Sequence, residues 1–193
     1  KWIGRENYVP RLKVNNFVFY REFNISKEEI NYGDSWRQGS WTQQQLVRDI
    51  EQELIDNPSG DNLPPYQTEA QLYGRMKGRK HWDDLYKKIR HSLLRFYTKE
   101  FIHYKSWANV SRENNQYGWH SHTCDLTVVY YLKCDNPEYG TYIKNEDVII
   151  PAINDSLLIF DAKIVHKLSN MPFELAVHPH NHRYSIVFDF NID

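Results

Sequence analysis

Cysteine is scarce in this chain: Cys124 and Cys134 are the only two in 193 residues. Two cysteines make no disulfide framework, so the chain must hold itself together by an ordinary apolar core, and a reducing, cytoplasmic setting is expected. Charge of one sign is missing as well. A net charge of −1 creates no field that would recruit nucleic acid or an anionic membrane surface, and neither partner is expected. No apolar run approaches the ~20 residues that span a bilayer, and Lys1–Pro10 lacks the apolar stretch of a secretory leader.

Hydrophobic residues at 40% against 25% charged ones are enough for one sizeable core and too many for a disordered chain. Aromatics reach 15%, led by 14 tyrosines, a residue suited to half-buried strands and cavity walls.

Periodicity divides the chain into two textures. A helix is expected over Thr42–Ile55, where Thr42 and Gln45 fit a capping box and Leu46, Val47, Ile50 and Leu54 share a face. Asp56–Gln67 reads as a loop. A second helix is expected over His81–Phe101, with Trp82, Leu85, Tyr86, Ile89, Leu93, Phe96 and Tyr97 on one stripe. Lys13–Tyr20 reads as an edge strand. From His103 onward short strands are expected: His103–Val110, Trp119–His122, Leu126–Lys133, Tyr142–Ile143, Val148–Ile150, Ser156–Phe160, Ile164–Leu168, Leu175–Val177 and Arg183–Phe190. Many short strands divided by turn signals point to a sandwich or jelly roll. The expected fold is α+β and mainly β, a single domain over residues 1–193 with its helices packed on one sheet.

Two segments carry chemistry. In His120-Ser121-His122, positions i and i+2 of a strand would face the same way, so two imidazoles could share one metal ion, with Asp125 close by. Arg183 and Ser185 would share a face of the last strand, opposite Tyr184, Ile186, Phe188 and Phe190. An inward Arg needs an anion, and its planar fork suits a carboxylate.

The ordered set Trp107-x-Asn109, Gly118, His120-x-His122, Tyr130-Tyr131-Leu132, Pro151, Phe160-x5-His166 and Arg183-x-Ser185 resembles the 2-oxoglutarate/Fe(II)-dependent oxygenases. It is most similar to a branch common in bacteriophage and marine genomes, and more distantly to prolyl hydroxylases. The resemblance covers about Ser106–Asn191. It implies a double-stranded β-helix over 103–193, with 1–102 as helical support and substrate rim. It further implies His120 and His166 as iron ligands, and Arg183 and Ser185 on the distal carboxylate of 2-oxoglutarate, with Tyr131 adding its hydroxyl. The implied reaction uses O2, converts 2-oxoglutarate to succinate and hydroxylates a protein or peptide side chain or a small molecule. The usual pattern is His-x-Asp/Glu. Here the third ligand is His122 by spacing, or Asp125 by charge, or a water with His122 behind it.

His178-x-His180-x-His182 reads as a solvated loop or rim segment, and Gly74–Lys80 as an exposed basic loop. Trp36, Trp41, Trp107 and Trp119 are candidates to wall the cavity, and Cys124 reads as a small turn residue beside the site.

Overall fold

The structure is a computed structural model that describes residues 11–14, 17–25, 40–58, 66–111, 118–169 and 182–193. Among the described residues, ten strands form two antiparallel sheets. The larger has seven strands in the order β1-β2-β8-β5-β10-β4-β3, and the smaller has three in the order β7-β6-β9. Their ranges are β1 Arg11–Val14, β2 Phe17–Tyr20, β3 Tyr66–Gln67, β4 Phe101–Ser111, β5 Leu126–Cys134, β6 Thr141–Ile143, β7 Val148–Ile150, β8 Ser156–Asp161, β9 His166–Leu168 and β10 Arg183–Ile192. The fold is therefore mainly β with few helices, arranged as two sheets.

The expected edge strand over Lys13–Tyr20 is a hairpin instead, with Arg11 opposite Tyr20. Its second arm is buried throughout and pairs with β8, so the N-terminal region adds strands to the sheet as well as helices. Trp119–His122 is not a strand. Its one ladder contact is an antiparallel bridge between His120 and His166. Leu175–Val177 lies outside the described residues.

The helices are α1 Trp41–Asp56, α2 Leu72–Met76 and α3 Lys80–Phe96. The capping box of α1 is Ser40 with Gln43, two residues before the expected pair. Gln43 also donates to the carbonyl of Leu132, which ties the helix start to β5 and explains why this pair is buried. Helix α3 ends at Phe96, five residues short of expectation. Tyr97 is extended and Phe101 already opens β4, although both pack in the core that the stripe predicted.

Alternation along the strands divides the large sheet into two faces. Val128, Tyr130, Leu157, Ile186, Phe188 and Phe190 join Leu46, Ile50, Trp82, Leu85 and Ile89 of α1 and α3 in one core. The other face, with Val129, Tyr131, Leu158, Phe160 and Val187, packs with Ile143 and Ile150 of the small sheet. Burying each such aliphatic side chain contributes roughly 1.5–3 kcal/mol. Between the sheets remains a cavity of about 660 Å³.

Candidate active site

Three imidazoles meet in this cavity. His166 opens β9, and the backbones of His120 and His166 exchange both hydrogen bonds, at 3.0 and 2.9 Å. The His122 amide donates to the carbonyl of Ala162 at 2.8 Å. These backbone bonds, rather than a regular strand, converge the His-x-His pair on His166. The ring centroids lie 4.3 Å apart for His120–His166, 5.1 Å for His122–His166 and 5.5 Å for His120–His122. One ligand atom from each of the three falls within 4.8 Å of the others.

The tautomers follow from the neighbours. Nδ1 of His120 faces the carbonyl of Gly118 at 3.0 Å, and Nδ1 of His166 faces that of Ile164 at 2.9 Å. Nδ1 of His122 faces both carboxylate oxygens of Asp189, at 2.9 and 3.0 Å. A carbonyl or carboxylate oxygen accepts, so each Nδ1 carries the proton and each Nε2 keeps a lone pair. Three imidazoles with Nε2 available fit a divalent transition metal.

Burial holds His166 neutral. It pushes His166 down to about 3, with the facing His120 and His122 adding to the effect, and it lowers His120 in the same sense. An unfolded histidine titrates near 6.5, so between these values the unfolded chain binds the extra proton and acidification favours unfolding. The metal-free protein should lose stability through His166 as pH falls from about 6.5 to 4.5, by up to about 1.4 kcal/mol per unit. Urea midpoints should fall more steeply for the parent than for His166→Asn across that window. Parallel slopes would mean that His166 titrates normally.

Asp125 is not brought into the cluster. Its carboxylate is exposed and accepts from the amide of Ile192 at 2.7 Å. The carboxylate beside the imidazoles is Asp189, which the strand pattern could have disclosed: Arg183, Ser185, Val187 and Asp189 alternate along one face of β10, and all four line the cavity. Asp189 also accepts from the Thr127 hydroxyl at 2.8 Å. Cys124 forms a second cluster with His122 and Asp189, but burial pushes its thiol up to about 11, which keeps it protonated and a poor ligand.

At the far end of the same face stands Arg183, buried at 5% exposure. Its Nε donates to the carbonyl of Tyr139 at 2.8 Å, Nη1 to the Ser185 hydroxyl at 3.1 Å and Nη2 to the Thr141 hydroxyl at 3.5 Å. Among the described residues it has no acidic partner. A guanidinium has five N–H donors, so three such bonds leave one on each terminal nitrogen, the number a carboxylate takes in bidentate fashion. Ser185 accepts from Arg183, which leaves its own proton free to donate. Nearby, the Asn109 side-chain oxygen is buried without a hydrogen-bond partner among the described residues, and Asn109 lines the cavity opposite Ser185. A buried cation and an unpaired amide oxygen in one cavity fit a polar, anionic ligand.

Tyr131 stands one layer back. Its hydroxyl bonds to that of Thr141 at 2.6 Å, and its ring lies under the Arg183 guanidinium with 5.4 Å to the centroid. Thr141 lines the cavity and Tyr131 does not. No local sequence signal marks Thr141, because its role depends on β6 facing β10. The Arg183 anchor also explains Gly140: a Cβ there would lie 1.9 Å from the carbonyl oxygen of Ile150, so only glycine lets the Tyr139 carbonyl sit where it does.

Trp107 and Trp119 line the cavity, Trp107 against His122 at 5.4 Å between ring centroids. Trp41 is 67% exposed at the start of α1, and Trp36 lies outside the described residues. His182 pairs through its backbone with Asp135 and does not line the cavity; His178 and His180 lie outside the described residues. The stretch Gly74–Lys80 is also remote from the cavity, with Arg75 paired to Glu53 and Glu69, Arg79 to Asp49 and Lys80 to Asp84. No helix among the described residues is long and apolar enough to cross a membrane.

No protein-family model matches the chain, and no curated protein matches its sequence. Solved structures do match. An oxidoreductase of the 2OG-Fe(II) oxygenase family from Burkholderia pseudomallei superposes with TM-score 0.51 at 11% identity, over 77% of this chain and 78% of its own. The viral collagen prolyl hydroxylase vCPH from Paramecium Bursaria Chlorella virus-1, solved as its 2OG complex, gives 0.55 at 15% identity, over 77% and 88%. SnoK from nogalamycin biosynthesis, a non-heme alpha-ketoglutarate-dependent carbocyclase, gives 0.59 at 14% identity, over 80% and 76%. At these identities the likeness concerns architecture, and chemistry must be argued from the site. This chain has the fold of the 2OG-Fe(II) oxygenases.

Proposed function

We propose that this protein is an Fe(II)- and 2-oxoglutarate-dependent oxygenase, a hydroxylase built on a double-stranded β-helix. The observation that carries the reading is the pairing, inside one cavity, of three Nε2-presenting imidazoles with a buried Arg183 that has no acidic partner among the described residues. His120, His122 and His166 would hold the metal. Arg183 and Ser185 would hold the distal carboxylate of 2-oxoglutarate, with Thr141 beside them and Tyr131 bracing Thr141 from behind. When bound, Fe(II) with 2-oxoglutarate supplies oxidation of a substrate C–H bond by O2, with succinate and CO2 as the other products.

The chain's own contribution is placement. Arg183 would fix one end of the keto acid, and His166 stays neutral because burial resists its protonation. Trp107 and Val187 keep an apolar wall between the two ends. For the substrate we favour a protein or peptide side chain, by analogy with the prolyl hydroxylase vCPH. A small-molecule substrate is the second reading, supported by a cavity of about 660 Å³, within the ~300–1,000 Å³ common for small-ligand sites.

Anaerobic titration tests the reading. Fe(II) and 2-oxoglutarate together should produce the weak visible charge-transfer band of an iron–keto-acid chelate, and neither should do so alone. Tight Fe(II) binding with no band on adding the keto acid would leave a metal protein without this cosubstrate.

A further inference from the structure

Asp189 stands out because each of the other two imidazoles is held by a backbone carbonyl, and only His122 is held by a carboxylate. The Asp189 side chain is 5% exposed. Its carboxylate meets the His122 ring at 2.9 and 3.0 Å, the Thr127 hydroxyl at 2.8 Å and the Cys124 thiol, with no Lys or Arg ion pair among the described residues. A buried carboxylate without a cation is costly to keep, and Asp189 interrupts the apolar strand between Phe188 and Phe190. Something must balance it, and the three lone pairs one imidazole away are where a cation would sit.

We propose that Asp189 is a positioning residue for the metal centre: the anionic charge that a His-x-Asp/Glu pattern places on the metal is here one hydrogen bond further out, behind His122. This rests on the metal-site reading above. By accepting from Nδ1–H, Asp189 fixes the His122 tautomer, aims Nε2 into the cluster and makes the imidazole a stronger donor. Thr127 holds the carboxylate from its other side, and its hydroxyl also lies 3.2 Å from His122 Nδ1. The exchange of a carboxylate ligand for an imidazole therefore need not strip the site of negative charge; the charge has moved from the ligand position to its support.

Cobalt(II) is the probe, because it reports its ligands directly and does not need O2 or turnover. In the Co(II) protein, three exchangeable, paramagnetically shifted imidazole N–H signals are expected in the proton spectrum, one per histidine. In Asp189→Ala one of them should vanish through exchange with solvent, and Co(II) affinity should fall about 10- to 100-fold. Asp189→Asn, which keeps a side-chain oxygen at the same place, should retain the signal and lose less affinity.

Two N–H signals in the parent, or no Co(II) binding, would overturn the proposal. So would Asp189→Ala with parental affinity and all three signals. A separate arm adds 2-oxoglutarate to the Co(II) protein and watches for a change in the visible bands. If the variants behave as expected but the keto acid leaves the spectrum unchanged, the role of Asp189 stands and the oxygenase reading falls. If the keto acid binds and Asp189→Ala matches the parent, the reverse holds.

Discussion

Arg183→Ala should lower 2-oxoglutarate affinity by roughly two to three orders of magnitude while leaving metal binding near parental. Removing one member of a buried, hydrogen-bonded charge pair costs about 2–5 kcal/mol, and every 1.4 kcal/mol is tenfold in affinity. Arg183 meets that description once a carboxylate is present: it is 5% exposed, and its fork is already fixed by Tyr139, Ser185 and Thr141. The variant also leaves the Tyr139 carbonyl without this donor, so its melting temperature should fall somewhat. Arg183→Lys separates the two effects. A lysine restores charge but not the two-pronged geometry, and should recover only part of the lost affinity. Anaerobic calorimetry of 2-oxoglutarate into the metal-loaded proteins gives the measurement. Equal binding by parent and Arg183→Ala would mean the keto acid does not sit here.

The second large effect concerns the third ligand. His122→Ala should weaken Co(II) binding by more than about 100-fold, beyond the range for loss of a supporting hydrogen bond. Asp125→Ala should leave it unchanged, since the Asp125 carboxylate is exposed and spends itself on the Ile192 amide. Water can replace that bond, so the stability loss should stay within about 1 kcal/mol. Competition with a chromophoric chelator reads both variants on one scale. The opposite pattern, with Asp125→Ala losing the metal, would reassign the ligand.

The convergence of the histidines was legible in the sequence for a partly mistaken reason. Strand alternation drew His120 and His122 together on paper, yet no strand runs there; the bridge to His166 and the bond from His122 to Ala162 converge them. The Phe160-x5-His166 spacing nominated His166 as an iron ligand, and in the structure the two rings also lie 4.7 Å apart. Asp189 was equally readable, because the alternation that puts Arg183 and Ser185 on one face puts Asp189 there too. A carboxylate between two phenylalanines needs a buried partner. Thr141 was not readable: its meeting with Arg183 joins residues far apart in sequence through the stacking of two sheets, which no local pattern encodes. The same limit applies to the hairpin over residues 11–20, whose second arm owes its burial to β8.

Strand β10 has one more consequence. Arg183 and Asp189 stand six positions apart on it, about 20 Å along an extended chain. From Ser185 to Asp189 the strand keeps unbroken register with β4 on one side and β5 on the other, and its two irregularities fall outside that stretch, at Tyr184/Ser185 and Asp189/Phe190. On the roles proposed here, the anchor for one end of the keto acid and the support for the metal at the other belong to a single strand bonded along both edges, with one irregularity between them at Tyr184/Ser185. The spacing of the two roles is then set by the backbone of one strand and not by a loop.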